Sequence, residues 1–391
     1  MTAQPTETDG TGNPGSAGDD RRAERPGPVV FLTCADSPGP DGHEIASKLV
    51  AAQGIAELLG RRFAGRFDDP TRYAQPPYFV PEETLLLPRA TRLGIRDDHQ
   101  LFGGVVPHPF VATKTITHPL PDPDAVAPEG WQPAFGQQIL DVVLPGFSAF
   151  SRADAFRAGV LLLQSGAVRL KRPEGVGGRG QSVIADAREL EDALDAIDTA
   201  ALARHGVVIE CNLVDVRTFS VGQVRLGDMR ITYCGTQSLT RANDGQQVYG
   251  GSELLVARGD WEDLLGLDLA PQTRIAVRQA RRYHDAAVST FAGMFASRCN
   301  YDVAQGYDDA GDGRSGVLEQ SWRIGGATGA EIAALKAFNA DPQLAVVGAS
   351  TTEIHGDSPD PPDDATVYFR GTDSRAGPLT KYARVRSHGH P

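Results

Sequence analysis

A chain of 391 residues with 40% hydrophobic and 23% charged residues has room for two or three domains and the balance of a soluble globular protein. A net charge of −12 argues against a nucleic-acid partner, and no apolar run approaches the ~20 residues of a membrane span. Four widely spaced cysteines, Cys34, Cys211, Cys234 and Cys299, form no metal-ligand pair and read as buried thiols in the reducing cytoplasm.

The first 27 residues have no apolar signal-peptide core, and their Gly, Pro, Thr and Asp content predicts a disordered tail. Pro28–Ala35 is then an apolar run of strand length. His43–Gly60 follows with Ile45, Leu49, Ala52, Ile55, Ala56 and Leu59 at helical spacing. Strand followed by amphipathic helix opens a small α/β unit. Phe110–His118 is a β-branched run with Lys114 inside it. A lysine there either snorkels to the surface or reaches a bound anion. His108 and His118 flank prolines and read as structural. After the Pro- and Asp-rich connector 119–133, helices are predicted near Gly136–Val143 and over Ser151–Gln164, with Ser151 as N-cap.

Val168–Ile184, VRLKRPEGVGGRGQSVI, is the most informative stretch. An apolar run ends in Lys171, and a loop carries Gly175, Gly177, Gly178, Arg179 and Gly180 before a second apolar run begins. Glycines let backbone N–H groups crowd an anion, and Arg179 adds positive charge. A Walker A loop would need Lys-Ser/Thr after Gly180, where Gln181 stands, and a dinucleotide fingerprint would open a helix. The stretch therefore predicts a strand–turn–strand phosphate lid. Asp186 next caps a helix with Leu190, Leu194, Ile197, Ala201 and Leu202 on one face, stopped by His205-Gly206. Val207–Leu213 is an apolar run that ends in Glu210-Cys211-Asn212-Leu213.

Arg217–Val224 and Met229–Gln237 predict a hairpin about Leu226-Gly227-Asp228, and Gln246–Val256 continues the sheet. Pro271–Arg298 reads as one long helix. Asn300–Gly306 and Val317–Ile324 then form a hairpin across an Asp/Gly-rich loop. Symmetric pairing about that loop sets Asp302 opposite Ser321. Alternation puts Glu319, Ser321 and Arg323 on the same face. Two close carboxylates repel, and a bound Mg²⁺ would remove that cost. Asp308, Asp309 and Asp312 lack the spacing of a calcium loop and read as turn residues. Thr328-Gly-Ala-Glu331 predicts a capping box, and 366–370 and 378–385 predict edge strands.

Lid, hinge-like strand and acidic hairpin occur in the order found in the ATP-grasp superfamily, and the chain most closely resembles its biotin-carboxylase-like branch. The resemblance implies an α/β fold with an α+β lid behind a Rossmann-like pre-domain. It divides the chain into a tail at 1–27, a pre-domain at 28–145 and a lid domain at 146–213. A C-terminal ATP-grasp domain at 214–345 and an extension at 346–391 complete it. It also implies ATP and Mg²⁺ as cofactors. Lys114, Lys171 and the lid glycines with Arg179 would hold phosphates, and Lys171 with Arg323 would be catalytic. Glu210 would accept from the adenine amino group beside Cys211 and Leu213. Asp302, Glu319 and Ser321 would bind metal; the serine replaces the family's asparagine in Glu-x-Asn-x-Arg and puts a second metal in doubt. The implied activity is ATP-dependent ligation of a small carboxylate to an amine or thiol through an acyl-phosphate. A non-catalytic nucleotide-sensing module is the alternative, and a homodimer stays open. The glutamate–histidine pair that follows this arginine in biotin carboxylases is absent, so their own reaction is not expected.

Overall fold

The computed structural model describes residues 26–33, 42–172, 180–356 and 360–389. Most of the expected disordered tail lies outside them. Strand β1 (Val29–Leu32) is buried at every position, as an apolar run is when both faces of a parallel sheet are covered. Helix α1 (His43–Leu58) returns the chain to β2 (Phe63–Arg66), and β3 (Tyr78–Pro81) completes a parallel sheet of order β2-β1-β3.

The residue before α1, Gly42, offers no side chain to cap it. The cap comes from the far end of the chain instead: the His43 N–H donates to Asp373 Oδ2 at 2.8 Å. The other oxygen accepts from the Arg375 and Ala376 N–H groups, both at 2.8 Å. The backbone donors of Ala376, His43 and Arg375 hold the Asp373 carboxyl down at about 2. Asp373→Ala should therefore cost about 1–2 kcal/mol, the scale of a lost N-cap. The urea midpoint of unfolding checks it, and an unmoved midpoint would show the contact to be idle.

Short strands β4 (Leu85–Leu86) and β5 (Gly104–Val106) flank α2 (Leu87–Arg92). The β-branched run over 110–118 folds into two 3-10 turns, Pro109–Ala112 and Lys114–Ile116. Pro109 cannot donate to a ladder, and the Thr113 hydroxyl accepts the Thr115 N–H. Local bonds win over the β-branched pattern there. Helix α3 (Pro133–Ile139) follows.

A four-stranded antiparallel sheet, order β6-β9-β7-β8, is built from β6 (Gly146–Ala149), β7 (Val168–Lys171), β8 (Gln181–Ile184) and β9 (Val207–Cys211). Helix α4 (Arg152–Leu163) starts at its expected cap, with Ser151 Oγ accepting the Asp154 N–H at 3.1 Å. The single helix expected after Asp186 is two, α5 (Ala187–Asp195) and α6 (Thr199–His205). Asp198 caps the second by accepting the Ala201 N–H. Apolar spacing alone could not register that break.

The rest is one large sheet. Strands β10 (Val214–Leu226) and β11 (Met229–Arg241) pair about a two-residue turn with Gly227 at φ +59°. After β12 (Gln247–Arg258) come α7 (Trp261–Leu265) and α8 (Pro271–Thr290). The expected long helix thus ends eight residues early: Gly293 at φ +80° turns the chain into β13 (Phe295–Ala296), which pairs with β5. Arg298 becomes the first residue of β14 (Arg298–Tyr307). Strand β15 (Gly313–Ser321), helix α9 (Thr328–Ala340), and strands β16 (Val346–His355), β17 (Thr366–Asp373) and β18 (Gly377–Gly389) complete the order β15-β14-β10-β11-β12-β16-β18-β17.

One face of this sheet, including Phe219, Val221, Tyr301 and Val303, packs on α8 and α7. The other, with Val224, Tyr233, Val256 and Val347, packs on α1 and α9. Among the described residues no helix is long and apolar enough to cross a membrane.

Candidate functional site

The lid root is the first polar cluster. Lys171 ends β7 where the loop begins, and Arg172 N–H to Gly180 O at 3.0 Å closes the loop's base. Gly180 is at φ +72°; Gly175, Gly177, Gly178 and Arg179 lie outside the described residues. Lys171 Nζ is 2.5 Å from Glu210 Oε1 on β9, and His118 Nε2 is 3.0 Å from Oε2. The side chains of Lys171, Glu210 and His118 are 3%, 2% and 0% exposed, which makes this a buried charge cluster. Burial alone would raise the Glu210 carboxyl, but the Lys171 ammonium and His118 overcome it and hold it at about 2.

Both oxygens of the Glu210 carboxylate, expected at the adenine amino group, are paired here with Lys171 and His118. The Cys211 N–H is also committed, to Pro145 O at 2.8 Å. The Leu213 side chain joins a small apolar patch with Leu144, Ala304, Cys211 and Leu318. His118, read as structural from sequence, proves to be the second partner of Glu210. A group with a depressed carboxyl stabilises fully above its unfolded value near 4.5 and loses that contribution as pH falls through about 2. Lys171→Met with Glu210→Gln should accordingly flatten the acid side of a plot of thermal midpoint against pH.

The second cluster is the β14–β15 hairpin. Asp302 lies directly opposite Glu319, and Ser321 opposite Asn300, so the expected Asp302–Ser321 pairing is off by two residues. An irregularity between Asp302 and Val303, which pairs with Val317, leaves Leu318 as the extra residue. Because the slip is even, Asp302, Glu319 and Ser321 keep a common face. Asp302 Oδ1 accepts from Gln237 Nε2 at 2.8 Å and Asn300 Nδ2 at 3.0 Å. Glu319 Oε2 is 2.7 Å from Lys114 Nζ. Lys114 is thus brought to the hairpin, not to the lid root, and is 4% exposed. The loop aspartates are turn residues, as expected: Asp308 Oδ1 accepts from Ala310 and Asp312 N–H, and Asp309 Oδ2 accepts the Ala167 N–H next to β7.

Burial, and then the Glu319 carboxylate, push the Asp302 carboxyl up to about 7. Such a pair fits a divalent cation, which offsets the repulsion that otherwise favours a proton. Among the described residues no three His, Cys, Asp or Glu side chains gather. Two carboxylates suit Mg²⁺, whose octahedron is usually completed by phosphate and water. Burial raises the thiols of the described cysteines, Cys211 to about 11 and both Cys234 and Cys299 to about 12.

A third cluster was hidden in the sequence. Arg298 Nη2 is 2.7 Å from Glu331 Oε1, with Nε at 3.1 and 3.2 Å from the two oxygens. Both side chains are buried, at 1% and 0% exposed. Glu331 therefore makes no capping box; the Thr328 hydroxyl instead accepts the Gly325 N–H at 3.0 Å. Arg323, beyond the end of β15, donates to the Ile324 carbonyl at 3.0 Å and has no ion-pair partner among the described residues.

Residues 31–383 match a family model described as "Protein of unknown function (DUF3182)". The chain belongs to the DUF3182 family. No curated protein matches it in sequence. Among solved structures, this DUF3182 protein resembles a Campylobacter jejuni biotin carboxylase in a β,γ-ATP complex. Identity is 11%, TM-score 0.52, and coverage 92% of this chain and 87% of that one. It also resembles the biotin carboxylase domain dimer of Hydrogenobacter thermophilus 2-oxoglutarate carboxylase, solved with MgADP, ADP and bicarbonate. There identity is 12%, TM-score 0.51, and coverage 93% and 87%. The DUF3182 protein shares the fold of these enzymes, the ATP-grasp fold.

Proposed function

We propose that the protein is an ATP- and Mg²⁺-dependent ligase that activates a small carboxylate as an acyl-phosphate for attack by an amine or thiol. The observation that carries this reading is Asp302 set directly opposite Glu319, half-buried and with the Asp302 carboxyl raised. Nucleotide binding alone could be met by lysines and backbone N–H groups, whereas two facing carboxylates are costly without a cation.

In this reading Asp302 and Glu319 hold Mg²⁺, which when bound neutralises charge on the transferring phosphoryl group. Lys114, already paired with Glu319, and Lys171, at the lid root, orient the phosphates. Leu213 and its apolar neighbours form the adenine wall, with backbone rather than the Glu210 carboxylate contacting the ring edge. Arg323, without an acidic partner among the described residues, stabilises charge developing on the acyl-phosphate. The proposal includes the domain divisions given above, with the strands after residue 345 counted in the C-terminal domain whose sheet they share, a cytoplasmic location and a homodimer.

A nucleotide sensor without turnover is the second reading. Ser321 in place of an asparagine favours it, as does Gly325-Gly326-Ala327-Thr328 where a base would stand. ADP release across a panel of carboxylic acids and amines, with hydroxylamine to trap an activated acyl group as hydroxamate, separates the two. Nucleotide binding with no ADP release from any acid would leave the sensor.

A further inference from the structure

We propose that Arg298 withholds Ser321 from metal coordination, so that Asp302 and Glu319 hold a single divalent cation. The inference rests on the ligase reading above and narrows it. Glu331 fixes the Arg298 guanidinium through Nε and Nη2, as described. The remaining nitrogen, Nη1, points to the end of β15. It donates to Ser321 O at 3.2 Å, to Ser321 Oγ at 3.3 Å and to Arg323 O at 2.6 Å.

The Ser321 hydroxyl therefore lies against a cation that cannot be deprotonated. A metal ion drawn to the same oxygen would stand beside that guanidinium, and like charges repel strongly in a buried setting. Glu331 balances Arg298 overall, but from the side away from Ser321. The same network reaches Asp302. The Tyr233 hydroxyl is 2.6 Å from Glu331 Oε1 and 2.9 Å from Asn300 Oδ1, which also accepts from Ser220 Oγ at 2.9 Å. Asn300 is thereby held with its Nδ2 on Asp302 Oδ1, beside Gln237. What remains for a metal is Asp302 Oδ2 and the Glu319 oxygen not paired with Lys114. Those donors, with phosphate and water, complete one octahedron. Arg298 and Glu331 are in this sense positioning residues.

The test is a Mn²⁺ titration of the full chain saturated with a non-hydrolysable ATP analogue, with free Mn²⁺ counted by electron paramagnetic resonance. One ion per chain is expected. Ser321→Ala should keep that count and change the Mn²⁺ affinity by less than about twofold, whereas loss of a ligand or its close supporter costs roughly 10–100-fold. Two ions on the wild-type chain, or none, would overturn the inference, as would a tenfold weakening in Ser321→Ala. Calorimetry in excess Mg²⁺ first establishes that the analogue binds. Failure at that stage overturns the ligase reading itself, while analogue binding with two manganese ions overturns only the one-metal inference.

Discussion

Lys171→Ala should lower both the thermal midpoint and the affinity for MgATP, and a second variant should separate the two losses. Glu210 is 2% exposed, and without the Lys171 ammonium it keeps only His118. Removing one partner from a buried ion pair costs about 3–5 kcal/mol because the other charge is left uncompensated. Nucleotide affinity should fall as well, since a charge-assisted hydrogen bond of roughly 1.5–3 kcal/mol corresponds to about 10- to 100-fold. A binding defect in Lys171→Ala alone would therefore be ambiguous. Lys171→Met combined with Glu210→Gln removes both charges and should regain most of the stability. Calorimetry on that pair should still show weak MgATP binding. If affinity returns together with the thermal midpoint, Lys171 is a structural cation and the lid root does not touch phosphate.

The hairpin carries the other large effect. Asp302→Asn and Glu319→Gln each leave shape nearly unchanged and remove one of two facing carboxylates. Turnover should disappear in both, with Mg²⁺ dependence of nucleotide binding weakened. The two are not expected to be equivalent in stability. Asp302→Asn relieves the repulsion that raises its carboxyl, whereas Glu319→Gln removes the negative charge that faces the buried Lys114 ammonium. Melting should thus show Asp302→Asn at or above the wild type and Glu319→Gln below it. Arg323→Ala should slow turnover by ~10²–10³, the scale of one lost oxyanion donor, and should disturb ATP affinity far less. Equal losses in kcat and in ATP affinity would mean that Arg323 serves binding rather than the charge that develops during reaction.

The parts of this molecule that sequence exposes are those with local causes. The strand–turn–strand at Lys171, the Gly227 turn and the Ser151 cap each follow from residues within a few positions of one another. Hairpin register was misplaced by two, because the irregularity at Leu318 cannot be seen in an alternation pattern. The face survived because an even slip preserves it. Contacts across long stretches of chain were hidden. His118 and Glu210 meet across 92 residues, and Gln237 reaches Asp302 across 65. Arg298 escaped notice because the helix pattern of α8 ran on toward it, and only the conformation at Gly293 ends that helix. The capping-box reading of Glu331 failed for the same reason. A local motif was complete in letters, but a buried guanidinium 33 residues away claimed the carboxylate.

Strands β16, β18 and β17 share the sheet that carries Asp302, with β16 paired along β12 from Gly251 to Ala257. A chain cut at residue 345, where sequence alone suggests a boundary, would leave β12 with a bare row of N–H and C=O groups over that length. Such an edge recruits strands from other molecules. It would also release α1 from the Asp373 carboxylate. Shortened forms should therefore collect in inclusion bodies and resist refolding, even though every proposed nucleotide and metal contact is retained. Expression work on this family is better served by removing nothing after β15.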